Sequence, residues 1–130
     1  MVNTKPLSLE RTASLFGALS DPVRLRVLIL LAAQELFVCE LTKLVEIPQP
    51  TLSNHLRVLR EVGLVVQEAR GRWRLYRLGD IPGPLRRLLA ELLEDKIVKA
   101  DMENLQEYLR EGRVLCGEKI PRENGEGGPV

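Results

Sequence analysis

Pro48 and Pro50 are the feature that most constrains how this chain can fold. Proline lacks a backbone N–H and disfavours a helical conformation in the residue before it, so no helix can run on through "EIPQP". A short helix is predicted at about residues 38–45, and a second from about Gln49 to Val62. The second helix is expected to stop at Gly63, because glycine favours helix C-termini.

The second helix of this pair has two different faces. Leu52, Leu56 and Leu59 share one side at helical spacing, and polar residues lie on the opposite side. Two helices joined by a short turn, the second with an outward polar stripe, form a helix-turn-helix arrangement. Amphipathic helix pairs are common, so this pattern alone is a weak indication of DNA binding.

A predicted β-hairpin strengthens that indication. "LVVQEA" and "WRLYRL" have the β-branched, aromatic and alternating residues of strands, and Arg70, Gly71 and Arg72 join them. From Gln49 to Arg77 there are six arginines and two glutamates, a net charge of 6 − 2 = +4. A recognition helix fills the major groove of DNA, and a cationic hairpin beside it can reach phosphates or the minor groove.

The N-terminal part of the chain predicts two further helices. "SLERTASLFGALS" has apolar residues at helical spacing and Ser8 as a possible N-cap. "DPVRLRVLILLAA" opens with Asp21 as N-cap and Pro22 at the first helical position. Apolar residues surround most of this second segment, so it is predicted to be the buried central helix.

A long helical region is predicted to begin near Leu85, after the turn "GDIPGP". Its apolar stripe continues as far as Leu109. A stripe of this length has more apolar surface than one small domain needs to cover its own core. A partner subunit is the simplest recipient for the excess. Residues 1–112 are therefore predicted to form one DNA-binding and dimerisation domain, and residues 113–130 a mobile tail rich in glycine, proline and charge.

Composition favours a cytoplasmic protein. The chain has 130 residues, of which 45% are hydrophobic and 28% charged, and no apolar run approaches the ~20 residues needed to cross a bilayer. The N-terminal "MVNTKPLSLER" lacks the apolar block of a signal peptide. Two cysteines, Cys39 and Cys116, are too few for a disulfide framework and are expected to be thiols in a reducing cytosol.

Four segments together resemble one family. "LFGALSDPVRLRVLILL", "ELFVCELTKL", "QPTLSNHLRVLREVGLV" and "GRWRLYRL" are similar in order and spacing to the ArsR/SmtB family of winged-helix, metal-responsive repressors, over roughly residues 9–80. The resemblance implies a mainly α fold with a small β-hairpin and a homodimer formed through the first and last helices. It also implies release from a pseudo-palindromic operator when a metal or metalloid binds. Glu46, where the family often has glycine, and Pro48, where it often has a capping serine, depart from the pattern.

Eight residues are candidates for contact with double-stranded operator DNA. Those on the outward helix face can hydrogen-bond to base edges or phosphates, and those at the hairpin tip can reach phosphates or the minor groove. A solvated helix face and an ordinary solvated hairpin are the alternative interpretations. For His55, the only histidine, packing or a phosphate contact is favoured over metal ligation. The candidates are Gln49, Thr51, Ser53, Asn54, His55, Arg57, Arg70 and Arg72.

Ligand chemistry separates the family's sensor sites. Zinc, nickel or cobalt sites in the last helix need histidine, and residues 85–111 contain none. The arsenic-type site lies in a pattern like "ELCVCDLC", whose central cysteine corresponds to Cys39, whereas Phe37 and Thr42 supply no thiol at the flanking positions. Cys39 lies near a helix N-terminus, where the helix dipole favours a thiolate. Cys116 is the other candidate ligand, from the same subunit or from its partner.

The leading hypothesis is a repressor released by arsenite or antimonite, which thiolates hold against water. Alternatives are a thiol-redox or persulfide sensor that uses Cys39 and Cys116, packing roles for both cysteines, or a winged-helix adaptor that binds proteins and not DNA. An enzyme is the least favoured class, because the sequence has no phosphate-cradling glycine loop and no paired histidines. No cofactor is expected to be required for folding.

Overall fold

The computed structural model describes residues 7–113 as six α-helices, one short 3-10 helix and one small sheet. Residues 114–130, which include Cys116 and nearly all of the predicted tail, lie outside the described residues, and the division at residue 112 stays a prediction. The helices are α1 (Leu9–Leu19), α2 (Pro22–Ala33), α3 (Val38–Val45), α4 (Gln49–Glu61), α5 (Gly83–Glu91) and α6 (Lys96–Arg110). The strands are β1 (Leu36–Phe37), β2 (Val65–Arg70) and β3 (Trp73–Leu78).

The helix starts predicted from the sequence are confirmed for α1 and α2. The Ser8 hydroxyl accepts the Arg11 N–H at 3.0 Å. The Asp21 carboxylate accepts the N–H groups of Val23 at 2.8 Å and Arg24 at 3.2 Å, and Pro22 occupies the first helical position. Helix α2 is the central helix, because its residues 27–31 are all buried and it contacts every other helix.

The predicted helix-turn-helix is also confirmed. Helix α3 ends at Val45, Glu46 takes a left-handed backbone conformation with φ of 58°, and α4 begins directly after Pro48. Helix α4 ends at Glu61, and Val62 is its C-cap. Gly63 follows with φ of 82°. The three leucines predicted to face inward on α4, Leu52, Leu56 and Leu59, are completely buried.

The hairpin of β2 and β3 is antiparallel, with Val65 opposite Leu78 and Arg70 opposite Trp73. Gly71 has φ of 62° at the first of the two turn residues, the position that requires a positive φ in a type II′ turn. Strand β1 was not predicted. It pairs with β3 through Leu36 opposite Tyr76 and gives the sheet order β1-β3-β2.

The long C-terminal helix predicted from the leucine stripe is interrupted. Helix α5 passes into a 3-10 turn at Leu92–Glu94, and Asp95 then caps α6 by accepting the N–H groups of Ile97 and Val98. In α6 the residues Val98, Leu105 and Tyr108 are buried in the core of their own subunit. This part of the stripe therefore covers the core of its own subunit, because α6 packs on α2 and α3. The assignment of the remaining apolar residues to a partner subunit stays a prediction.

Candidate DNA interface and sensor segment

The outward face of α4 presents the side chains predicted to read DNA. Gln49, Thr51, Ser53, Asn54 and Arg57 are all exposed, while the leucines of the opposite face anchor the helix in the core. Amide, hydroxyl and guanidinium groups at this spacing can reach base edges when a helix lies in the major groove. This surface, the exposed face of α4, has the chemistry that the sequence predicted.

Arg57 is held along the helix by its own neighbours. Its Nη1 atom donates to Glu61 Oε2 at 3.0 Å, and its Nη2 atom donates to Asn54 Oδ1 at 2.6 Å. Both contacts are exposed, so water and salt screen them. The guanidinium can therefore leave these partners and bind a guanine or a phosphate at a small cost in free energy.

His55 points toward the protein and not outward. Arg24 Nη1 lies 3.1 Å from His55 Nδ1, and His55 Nε2 lies 4.0 Å from Asp21 Oδ1. Because arginine only donates, Nδ1 is the acceptor in this contact. Arg24 also donates to the Ala18 carbonyl at 2.7 Å. His55 thus joins α4 to α1 and α2, and its contact with DNA stays a prediction.

The hairpin tip carries arginines, as predicted. Arg70 Nε donates to Glu68 Oε2 at 2.7 Å, and Arg77 Nη1 donates to Glu68 Oε1 at 2.8 Å. The hydrogen bond from Arg70 lowers the pKa of Glu68, so this carboxylate remains an acceptor at neutral pH. The Arg72 guanidinium lies 5.8 Å from the centre of the Trp73 ring, within cation–π range. Arg70 and Arg72 are therefore placed together at one end of the sheet.

Cys39 is the second residue of α3 and is half-buried. It is disulfide-bonded in the structure, and so is not present as the thiol that was expected from the sequence. Strand β1 ends two residues before Cys39, at Phe37, and pairs with β3 of the hairpin. The Phe37 and Trp73 rings meet edge to face with centroids 5.8 Å apart. Helix α3 continues from Cys39 to the turn that leads into α4. We call residues 35–40 the sensor segment, because they contain Cys39, for which a sensing role is predicted. This segment pairs with the hairpin through β1 and leads into α3.

A buried carboxylate beside Cys39 was missed in the sequence. Glu40 is fully buried, and it accepts the Phe37 N–H at 2.8 Å. Arg113 donates to both of its oxygens, from Nε at 2.9 Å and from Nη2 at 2.7 Å, and the Tyr108 hydroxyl donates as well. Burial first, and then the hydrogen bond to Glu40, raises the pKa of Tyr108, so its hydroxyl stays a donor. The only sequence signal was an acid within an apolar segment.

The end of α6 turns back toward the sensor segment. Gly112 has φ of 94°, and Arg113, which is not a glycine, has φ of 62°. This left-handed backbone is unfavourable for a residue with a Cβ and persists where surrounding contacts hold it. The contacts here are the two bonds to Glu40 and a third from Arg113 to the Glu35 carbonyl at 3.2 Å. We call Glu40, Tyr108 and Arg113 the Glu40 cluster.

A second ion pair fixes α6 on α2. Arg26 Nε donates to Asp101 Oδ2 at 2.8 Å and its Nη2 donates to Oδ1 at 3.0 Å, and Asp101 is buried. The Asp101 hydrogen bond raises the pKa of Arg26. These partners lie 75 positions apart, so no sequence pattern connects them. Helix α6 is thus held at two points, on α2 through Asp101 and on α3 through Tyr108.

Neither a cluster of metal-ligating side chains nor a membrane-spanning helix is present in residues 7–113. No group of three or more His, Cys, Asp or Glu side chains is placed to hold a metal ion within this range. Across the same residues, no helix combines the length and the apolar character needed to span a membrane.

The fold and the α4 surface define a winged helix-turn-helix protein, and comparison with known proteins gives its family. A family model described as "Bacterial regulatory protein, arsR family" matches residues 21–66. The chain is 38% identical over 95 residues to the arsenical resistance operon repressor of Escherichia coli, covering 70% of this chain and 81% of that protein. The chain therefore belongs to the ArsR family.

Another curated relative matches over a smaller share. The arsenic resistance transcriptional regulator ArsR1 of Pseudomonas putida is 45% identical over 64 residues, which cover 48% of this chain and 50% of that protein. The chain thus spans only half the length of this relative.

Solved structures share the fold. Reduced HlyU from Vibrio cholerae has a TM-score of 0.58 at 30% identity and covers 65% of this chain and 86% of its own. The homodimeric winged helix-turn-helix domain Mb0332 from Mycobacterium bovis has a TM-score of 0.57 at 27% identity. The match covers 71% of this chain and 86% of the Mb0332 chain.

Proposed function

We propose that this chain is a DNA-binding transcriptional repressor that leaves its operator when a thiophilic inducer binds Cys39 and Cys116. The observation that carries the DNA-binding part is the exposed face of α4, with the arginine-bearing hairpin next in the chain. Gln49, Ser53 and Asn54 are assigned to base edges, and Arg57 to guanine or phosphate. Arg70 and Arg72 are assigned to flanking phosphates or the minor groove.

Binding to the DNA upstream of the chain's own gene tests this assignment. Ser53→Ala and Arg57→Ala are each expected to weaken binding by about 1–3 kcal/mol if the side chains read bases. Affinity should also fall steeply as salt rises, because each phosphate contact releases counterions. Lys99→Ala is the matched control, since it removes an exposed charge from α6, outside the helix-turn-helix.

Unchanged affinity in both α4 variants would contradict the assignment of these residues. A binding curve that is flat at every protein concentration would instead favour the winged-helix adaptor, which recognises protein and not DNA.

We also propose that the repressor is a homodimer through α1 and the C-terminal helices. Large apolar side chains remain exposed on these elements: Leu9 at 88%, Phe16 at 63% and Ile97 at 59%. A groove lined by Phe16, Pro84 and Leu88 lies between α1 and α5. Exposed apolar patches of this kind mark interaction surfaces. A two-fold axis would place two α4 helices on successive turns of DNA, roughly 34 Å apart, and the related Mb0332 domain is described as homodimeric.

Arsenite or antimonite is the inducer we favour. Trivalent arsenic prefers thiolates, and two curated relatives are named for arsenic or arsenical resistance. Cys39 lies in the first turn of α3, and α3 ends at the turn before α4, so a ligand on Cys39 would act on that turn. With arsenous acid, two thiols displace two hydroxyls: two Cys–SH and As(OH)₃ give Cys–S–As(OH)–S–Cys and two waters.

A thiol-redox or persulfide sensor is the second candidate. The specific observation in its favour is the Glu40 cluster, which ties Arg113 to the residue beside Cys39. Cys116 follows Arg113 by three residues, a distance of at most about 11 Å for extended chain. The fold is also shared with a protein whose structure is described as reduced HlyU.

We further propose a cytoplasmic protein without enzymatic activity and without a cofactor needed for folding. The related proteins are described as a transcriptional regulator and an operon repressor. DNA binding by α4 does not require any covalent bond to be made or broken.

A further inference from the structure

We propose that Arg24 is a positioning residue for α4: through His55 it fixes the angle of α4 against α1, and so sets the half-site spacing that the dimer reads. The inference rests on the proposed function, since it assumes a dimeric repressor that reads DNA with α4. It adds a determinant of operator specificity that lies on α2, outside the helix-turn-helix.

The first argument is the way in which α4 is held on the core. Leu52, Leu56 and Leu59 are completely buried, but apolar packing has no directional preference of its own. A hydrogen bond weakens steeply as its angle departs from linearity, so it fixes orientation as well as distance. His55, in the middle of α4, makes a contact of this kind with Arg24 of α2. This contact defines how α4 is turned on its apolar face.

The second argument is the geometry of the Arg24 guanidinium. Its Nε atom donates to the Ala18 carbonyl at 2.7 Å, and its Nη1 atom donates to His55 Nδ1 at 3.1 Å. A guanidinium is planar and rigid, so two acceptors that bind it are fixed relative to each other. Arg24 therefore sets the position of α4 against the last turn of α1.

The third argument is that both ends of this bridge are held in place. The Asp21 carboxylate accepts the Arg24 N–H at 3.2 Å and lies 4.0 Å from His55 Nε2. The His55 side chain is only 14% exposed, so water competes weakly for its hydrogen bond. The bridge is therefore firmer than the exposed contacts of Arg57 on the outer face of α4.

The fourth argument is the path from the proposed dimer interface to the DNA-reading face. Phe16, which is exposed on α1, lies two positions before Ala18, the residue that Arg24 binds. At the other end, His55 directly follows Asn54, which is assigned to base edges. The two α4 helices of a dimer must match half-sites about one turn of DNA apart, roughly 34 Å. A change of angle at Arg24 in each subunit would alter this match.

Operator binding with altered half-site spacing tests the proposal. Footprinting of the upstream DNA defines the operator, which is compared with a duplex that has one base pair inserted between the half-sites. The insertion moves one half-site by about 3.4 Å and rotates it by about a tenth of a turn. The wild type is expected to prefer the operator by about tenfold or more, because the inserted duplex prevents both α4 helices from binding together.

Arg24→Gln is expected to lose most of this preference. With α4 less firmly fixed, the ratio of the two affinities should fall below about threefold, since neither spacing then matches a rigid pair of helices. A third duplex with a single half-site measures α4 by itself. Its affinity for Arg24→Gln should stay within about twofold of the wild type, because the base-reading side chains are unchanged.

Arg26→Gln is the matched control for a general loss of stability. Arg26 lies on the same helix, and its hydrogen bonds to buried Asp101 tie α2 to α6. The substitution is expected to lower the urea midpoint at least as much as Arg24→Gln, because it leaves a buried carboxylate unpaired. It should nevertheless keep the wild-type preference between the two operators. Sedimentation checks that all compared variants are dimers.

Two changes at His55 separate positioning from direct contact with DNA. The asparagine Oδ1 atom occupies the same place along the side chain as histidine Nδ1, so His55→Asn retains an acceptor for Arg24. His55→Asn is expected to keep most of the spacing preference, and His55→Leu to lose it as Arg24→Gln does. If only the His55 variants change, through weaker binding to the single half-site, His55 contacts DNA itself and the positioning role is overturned.

The remaining outcomes are also decisive. A spacing preference in Arg24→Gln equal to that of the wild type would overturn the positioning role and leave the proposed repressor intact. An equal loss of preference in Arg26→Gln would overturn it as well, since reduced stability would then explain both variants. A wild type that binds the operator no more tightly than the single half-site would contradict the dimeric repressor, and the positioning role would fail with it.

Discussion

Glu46 ends α3 with a backbone conformation that favours glycine. Its φ is 58°, and its N–H donates to the Thr42 carbonyl at 2.9 Å, so the strained residue closes the helix before the turn. An L-residue with a Cβ costs roughly 1–2 kcal/mol in this region of conformational space.

Glu46→Gly is therefore expected to stabilise the protein by about 0.5–1 kcal/mol, since glycine's larger entropy in the unfolded chain offsets part of the gain. Urea unfolding measures the free-energy difference. Glu46→Ala keeps a Cβ and should give no comparable gain. A loss of stability in Glu46→Gly would show that the Glu46 side chain contributes more than its backbone strain costs.

At the scale of elements, Gly79 joins the end of the hairpin to the end of α4. A Cβ placed on Gly79 would lie 2.4 Å from the Gly63 carbonyl oxygen, and the Gly79 N–H donates to the Leu64 carbonyl at 2.8 Å. The close approach is backbone to backbone, so no side chain can move aside.

Gly79→Ala is expected to lower the free energy of unfolding by about 1–3 kcal/mol, because the chain must shift to remove the clash. Gly17→Ala is the control, since Gly17 lies in the last turn of α1 and a Cβ there meets nothing within 4 Å. That substitution should stabilise by about 0.5–1 kcal/mol. Equal thermal midpoints for the two variants would contradict the proposed role of the close approach.

The elements also show what sequence can and cannot predict. The caps Ser8 and Asp21, the prolines around the turn and the alternating strands act locally, so α1 to α4 and the hairpin were predicted closely. Strand β1 has only two residues, and its pairing with β3 depends on contacts forty positions away. The break before α6 was hidden because the apolar residues on both sides of Asp95 keep a helical spacing, and Asp95 is one of several acids in this stretch. The Glu40 cluster joins positions 40, 108 and 113, which no local pattern relates.

At the scale of the whole molecule, the exposed apolar face of α1 predicts dimerisation. Phe16 is 63% exposed, although phenylalanine is a residue that folding normally buries. Phe16→Glu is expected to shift the protein from dimer to monomer in sedimentation experiments, because a charge would enter the apolar interface.

DNA affinity should fall when dimerisation is lost, since a monomer contacts one half-site only. Ser14→Glu is the control, because Ser14 is an exposed polar residue of the same helix. A monomeric wild type would contradict the dimer, and a Phe16→Glu variant that remains dimeric would place the interface elsewhere.

Release of operator DNA by arsenite is the measurement that tests the central claim most directly. Reduced wild-type protein bound to labelled upstream DNA is titrated with arsenite while fluorescence anisotropy reports release. Emission from Trp73, the single tryptophan of the chain and a neighbour of Phe37, reports ligand binding in the same samples. The wild type should release DNA, and Cys39→Ser and Cys116→Ser should retain it. Release by arsenite that persists when both cysteines are replaced would contradict the thiolate sensor.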